Sequence, residues 1–132
     1  MADSSLTELF GEPISVYARA RTIADGVLVE LWALAPDVCA QHYKYPVACT
    51  AEVWTVIDAA VKNPRHLNDL NGVVHDILWM SRMNARALDE STRLFDVIVE
   101  GAAPTSVFTF KAVCGPGDNA EPVITVMLPG ED

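Results

Sequence analysis

The sequence predicts an α+β domain: an antiparallel sheet of about four or five strands, helices packed mainly on one face, and a β-hairpin at the C-terminus. Three observations predict it. Phe108 to Cys114 and Pro122 to Leu128 are β-type runs that flank Gly115-Pro116-Gly117-Asp118-Asn119-Ala120-Glu121. Gly permits positive φ, Pro fixes φ, and Asp and Asn side chains bond their own backbone, so this stretch reads as strand, turn, strand. Two earlier segments carry apolar residues at helical spacing. Most of the strand-like segments come late and consecutively, which antiparallel pairing accommodates with short connections.

Taken in order, Ser5 to Phe10 reads as a short amphipathic turn closed by Gly11. Ser15 is the N-cap of a short helix, Val16 to Ala24, which Asp25-Gly26 stops. Val27-Leu28-Val29-Glu30-Leu31 follows as a strand. Trp32 to Tyr45 shows no clear period, although Pro36-Asp37 suits the opening of a helical turn. Pro46 to Cys49 is an extended approach to Thr50, the N-cap of a helix that runs to about Lys62 and ends at Asn63-Pro64. Val53, Trp54, Val56, Ile57, Ala60 and Val61 share its apolar face, with Thr55, Asp58 and Lys62 opposite.

The longest helix is expected from about Asn68 to Leu88. Leu70, Val73, Val74, Ile77, Leu78, Met80 and Leu88 form one stripe. His75, Trp79, Arg82, Met83 and Arg86 fall on the other side. A Trp and a Met at i,i+4 among cationic residues are the composition of a contact surface. A helix covered on both faces has the same pattern. Arg93 to Val99 is a further strand closed by Glu100-Gly101, and Pro104 leads to the terminal hairpin and an exposed acidic tail, Pro129 to Asp132.

At 132 residues the chain is one domain, 1–132, with enough length to bury a core. Hydrophobic residues make up 51%, charged residues 20%, and mean hydropathy is +0.21. The most apolar run, Val27 to Ala35, is interrupted by Glu30 and is far shorter than the ~20 residues of a membrane span. No membrane association is expected. The apolar excess instead points to a protein partner or a homodimer contact. Eighteen acidic against nine basic residues give a net charge of −9. That argues against direct binding to nucleic acid or anionic lipid, because both depend on cations, and favours a partner with a basic surface. Cys39, Cys49 and Cys114 are odd in number, and the start is polar and acidic. Both features predict free thiols in a reducing cytoplasm.

Motifs of reaction chemistry are sparse. Cys39-x-x-His42 with Cys49 nearby has zinc-ligand residue types, but no second close pair completes four ligands, so no metal is expected. His66 and His75 stand apart from any nucleophile motif, and Cys114 before Gly-Pro-Gly reads as a structural thiol. There is no phosphate loop, dinucleotide fingerprint or nucleophile elbow, so no catalytic residue or cofactor is expected. Tyr17, Arg19 and Asp25, with Arg21, form a polar constellation of the kind that captures anions or nucleotides. A solvent-facing side of a short helix explains the same residues. Asp96 with Glu100, and Asp118 with Glu121, are spaced like ordinary surface carboxylates.

Four blocks together resemble an uncharacterised family of small bacterial proteins carried by plasmids, phages and other mobile elements. They are Tyr17 to Ala20 with Ile23 to Val29; Lys44 to Ala48 with Thr50, Val53 and Trp54; Leu78-Trp79-Met80; and, most specific, Phe110 to Asp118 with Glu121 to Asp132. Leu31 to Tyr43 and Pro64 to Val74 lie outside the resemblance. The resemblance implies a genetic context and no catalytic residue. It suggests a non-enzymatic accessory protein that binds a protein, in its sharpest form an inhibitor of a host defence system of the anti-CRISPR type. A small ligand-binding enzyme with a pocket near Tyr17, Arg19 and Asp25, and a structural homodimer, are the alternatives.

Overall fold

In the computed structural model the described residues are 19, 21–102 and 105–131. They form one mixed sheet of six strands with helices mainly over one face. In chain order these are β1 (Leu28–Val29), α1 (Leu31–Leu34), α2 (Pro36–His42), β2 (Val47–Thr50), α3 (Ala51–Lys62), α4 (Leu70–Met83), β3 (Ala85–Ala87), β4 (Thr92–Ile98), β5 (Val107–Pro116) and β6 (Pro122–Met127). Residues 21–24 are helical, as expected. The expected turn from Ser5 to Phe10, the cap Ser15, Tyr17 and Pro104 lie outside the described residues. No helix among the described residues is long and apolar enough to cross a membrane.

Two features of the sheet correct the expectation. It has six strands, and the order β1-β2-β6-β5-β4-β3 contains one parallel pair, β2 with β6. The C-terminal hairpin forms as expected, with Lys111 opposite Met127 and Cys114 opposite Ile124. Its second strand then aligns with β2, so that Val47 meets Ile124 and Cys49 meets Val126. All four side chains lie on the helix-facing side, where Phe95 opposite Phe110 and Ala112 opposite Val126 continue the apolar layer.

The helical layer completes that core. α3 begins at Thr50, whose side chain accepts a hydrogen bond from the Val53 N–H. Its inward residues Val53, Ile57 and Ala60 are fully buried against β2 and β6. α4 buries Val73, Val74, Ile77 and Leu78 over β4, with α2 and α3 beside it. Burying each such side chain contributes roughly 1.5–3 kcal/mol against its ordering entropy. The α3–α4 loop is tied to the end of β4 by Asn68, whose amide donates to the Glu100 and Ala60 carbonyls, and by Asn63, which donates to Gly101 O.

Other boundaries also differ. Leu31 is buried and opens α1 rather than ending a strand. α4 stops at Met83, not near Leu88, and Ala85–Ala87 pairs instead with Arg93 to Phe95. Ala-Arg-Ala-Leu has good helix propensity, but an open sheet edge and burial beside Phe95 outweigh a few tenths of a kcal/mol per residue, roughly, of local preference. The acidic tail is not simply exposed. Glu131 is half-buried, and its Oε1 accepts from Thr50 Oγ1 at 2.8 Å and from the Leu128 N–H at 2.8 Å.

Candidate functional site

α4 turns Val73, Val74, Ile77, Leu78 and Ser81 inward and leaves Trp79, Arg82 and Met83 exposed. Trp79 keeps 46% and Met83 59% of its surface in solvent. His75 is half-buried between them and the core. A second element reaches this face. His42, in the last turn of α2, places Nε2 2.9 Å from His75 Nδ1. The His42 and Trp79 ring centroids lie 6.1 Å apart at 78°, and those of His75 and Trp79 lie 5.9 Å apart at 31°. Two imidazoles thus hold the indole in place while one side of it stays wet.

The chain after α2 is fastened to the same helix. Ser81 Oγ donates to the Leu78 carbonyl at 2.6 Å, so the Tyr43 hydroxyl, 2.7 Å away, donates to Ser81 Oγ. His42 is 91% buried, and its Nδ1 has no partner among the described residues. A bare acceptor there costs less than a buried, unmatched N–H, which favours the tautomer with the proton on Nε2, donated to His75. Burial lowers the His42 pKa, and the neighbouring His75 and Arg82 lower it further. Both effects favour the neutral imidazole.

Of the five residues expected on one face, the structure groups His75, Trp79, Arg82 and Met83. Arg86 is a correction. It lies in β3 opposite Leu94, and because Ala85 and Phe95 face the helices, alternation sends Arg86 to the other side of the sheet. His42 is the member that residue spacing missed. On its own sequence it looked like a surface residue near two cysteines, and only the packing of α2 on α4 brings it to His75.

Of the alternative constellation, the described members Arg19 and Asp25 do not border a common cleft. Arg19 borders a cleft of about 320 Å³ with Glu30, Trp32, Asp118 and Glu121. Its guanidinium donates to Thr125 Oγ1 at 2.8 Å and to the Ile124 carbonyl at 3.4 Å. Burial lowers its pKa, and Asp118, Glu30 and Glu121 act in the opposite sense. Three carboxylates around one guanidinium make a poor anion trap. Asp25 is exposed, outside that cleft, and 3.9 Å from Arg21. Tyr17 lies outside the described residues.

The remaining candidates differ in exposure. Cys39 and Cys49 are buried, and burial pushes their thiols up to about 11 and about 12, with Cys39 and then Glu131 adding to the effect at Cys49. Cys114 is half-exposed. His66 is exposed, and Asp96 accepts from Thr109 Oγ1 at 2.6 Å. Among the described residues no group of three or more His, Cys, Asp or Glu side chains converges on a metal-sized site.

Comparison with curated proteins gives no match, and comparison with solved structures gives none. A family model, by contrast, spans almost the whole fold, from residue 9 to residue 132, so it includes β1 to β6, α4 and its outer face. The chain belongs to the family of unknown function DUF6573.

Proposed function

We propose that this protein works by binding another protein through the outer face of α4, with Trp79 and Met83 as the apolar anchors. The observation that carries the reading is a tryptophan about half exposed yet fixed against two imidazoles. Side chains that are already ordered lose little entropy on docking, and Trp is the residue type most often responsible for binding energy. Arg82, on the same face, makes no ion pair among the described residues, so the fitting partner presents an apolar side chain beside a carboxylate. An open groove of about 490 Å³, bordered by Val38, Gln41, Leu67 and His75, continues that face toward the start of α4.

In its sharpest form the partner is a host defence complex, and the protein is a non-enzymatic accessory factor of a mobile element that acts in the cytoplasm, with anti-CRISPR-like inhibition as one instance. The blocks of resemblance support that context. The test is affinity capture from a host carrying its natural defence systems, comparing wild type, Trp79→Ala and Arg82→Glu. Recovery of one defence complex that both substitutions abolish is the expected result. Equal recovery by all three contradicts the docking face, and self-association lost in Trp79→Ala would replace the foreign partner with a second copy of this chain.

A further inference from the structure

A second concavity, of about 410 Å³, lies at one end of the layer between helices and sheet. That volume is in the range of small-molecule sites. Cys114 and Ile124, opposite one another on β5 and β6, form part of its floor. The last turn of α4 contributes Arg82, the helix-facing side of β4 contributes Arg93, and the chain after α2 contributes Lys44 and Tyr45.

The charges in this cleft run against those of the whole molecule. Lys44, Arg82 and Arg93 face a single carboxylate, Glu90, in a chain whose net charge is −9. Among the described residues the ion pairs are Arg21 with Asp25 and Lys62 with Asp58, so none of the three cations is paired. Arg82 suits the C-terminal dipole of α4, but Arg93 sits on a strand, so helix dipoles do not account for the set. Cations collected in one cavity repel one another, and an anion placed among them removes that cost. His42, with its partnerless buried Nδ1, borders the same cleft.

We propose that this cleft binds a small phosphorylated molecule. Arg82, Arg93 and Lys44 hold the phosphate, and the half-exposed ring of Tyr45 covers the body of the ligand. Three cations against one carboxylate match a dianion better than a single carboxylate, and guanidinium groups pair with phosphate oxygens two at a time. A long polyanion is disfavoured by the acidic remainder of the surface. The cleft shares Arg82 with the docking face but not its apolar anchors, since Trp79 and Met83 do not border it, so Lys44→Gln and Trp79→Ala are the variants that tell the two apart.

The probes are AMP and inorganic phosphate, with adenosine and acetate as comparators, at low ionic strength. Binding is read from amide shifts of Lys44, Ser91 and Cys114 and from protection of Cys114 against iodoacetamide. AMP and phosphate are expected to saturate the shifts and slow alkylation. Arg93→Gln and Lys44→Gln are each expected to weaken binding about tenfold or more, and Trp79→Ala to leave it unchanged. Lys44 is exposed, so its substitution tests the site even where Arg93→Gln fails to fold. Absence of saturable shifts, equal effects of adenosine and AMP, equal effects of acetate and phosphate, or unchanged binding in Lys44→Gln would each overturn the assignment. Loss of AMP binding alone leaves the α4 docking face standing, and loss of partner capture alone leaves the cleft standing.

Discussion

His42 is one side chain through which pH acts on this fold. Its native pKa lies below the ordinary value because burial and the nearby His75 and Arg82 disfavour the imidazolium. The unfolded chain therefore takes up a proton first as pH falls through about 6.5, and stability drops from there until the native pKa is reached. Denaturant midpoints at pH 7.5 and 5.5 are expected to differ, and His42→Gln is expected to shrink the difference. Thiol chemistry separates the cysteines in the same way. Cys39 and Cys49 are buried with raised pKa values, while Cys114 is half-exposed. Iodoacetamide on the native protein at pH 8 should label Cys114 well ahead of the other two, with mass spectrometry as the readout. At this scale the sequence showed the Trp79–Met83 pair, because both sit on one helix. It hid the His42–His75 contact, which depends on two helices meeting.

The elements show where local rules suffice and where they do not. The cap at Thr50 was readable, and its role is larger than a cap, since Thr50 Oγ1 also donates to Glu131. Thr50→Ala is expected to cost about 1–2 kcal/mol in chemical denaturation, because a cap and a tie to the C-terminus vanish together. Gly101 adopts φ +89°, and a Cβ there would meet His66 at 3.2 Å and Asn68 at 3.3 Å. Gly101→Ala should therefore destabilise by about 1–3 kcal/mol and loosen the α3–α4 loop. Glycine is the residue of this turn expected to supply positive φ, yet Ala120 takes it, at 64°. Ala120→Gly should raise the melting temperature, since the strain relieved, about 1 kcal/mol, exceeds the entropy that glycine adds to the unfolded chain. The end of α4 and the parallel β2–β6 pair were not legible. Both are decided by partners remote in sequence, which periodicity within a segment does not register.

Across the whole molecule, charge and apolar surface are sorted. The acidic majority leaves Lys44, Arg82 and Arg93 gathered at one end, while Trp79 and Met83 stand along the outer side of α4. Net charge indicated which partners to exclude, but the cation cluster is assembled from the end of α4, the start of β4 and the loop after α2, so no linear stretch displays it. A partner held at Arg82 by a carboxylate should bind more weakly as salt is raised from 0.05 to about 0.5 M, whereas the Trp79 contribution should persist. Trp79→Ala should cost about 1–3 kcal/mol and leave the chain folded while abolishing capture, which separates recognition from folding.

The most direct measurement is site-specific photocrosslinking in the host, with a photoreactive residue in place of Met83 and a control in place of Thr55 on the outer side of α3. The account expects one discrete adduct with a host protein from position 83 and none from position 55. An adduct of the chain with itself, or the same pattern from both positions, would contradict it.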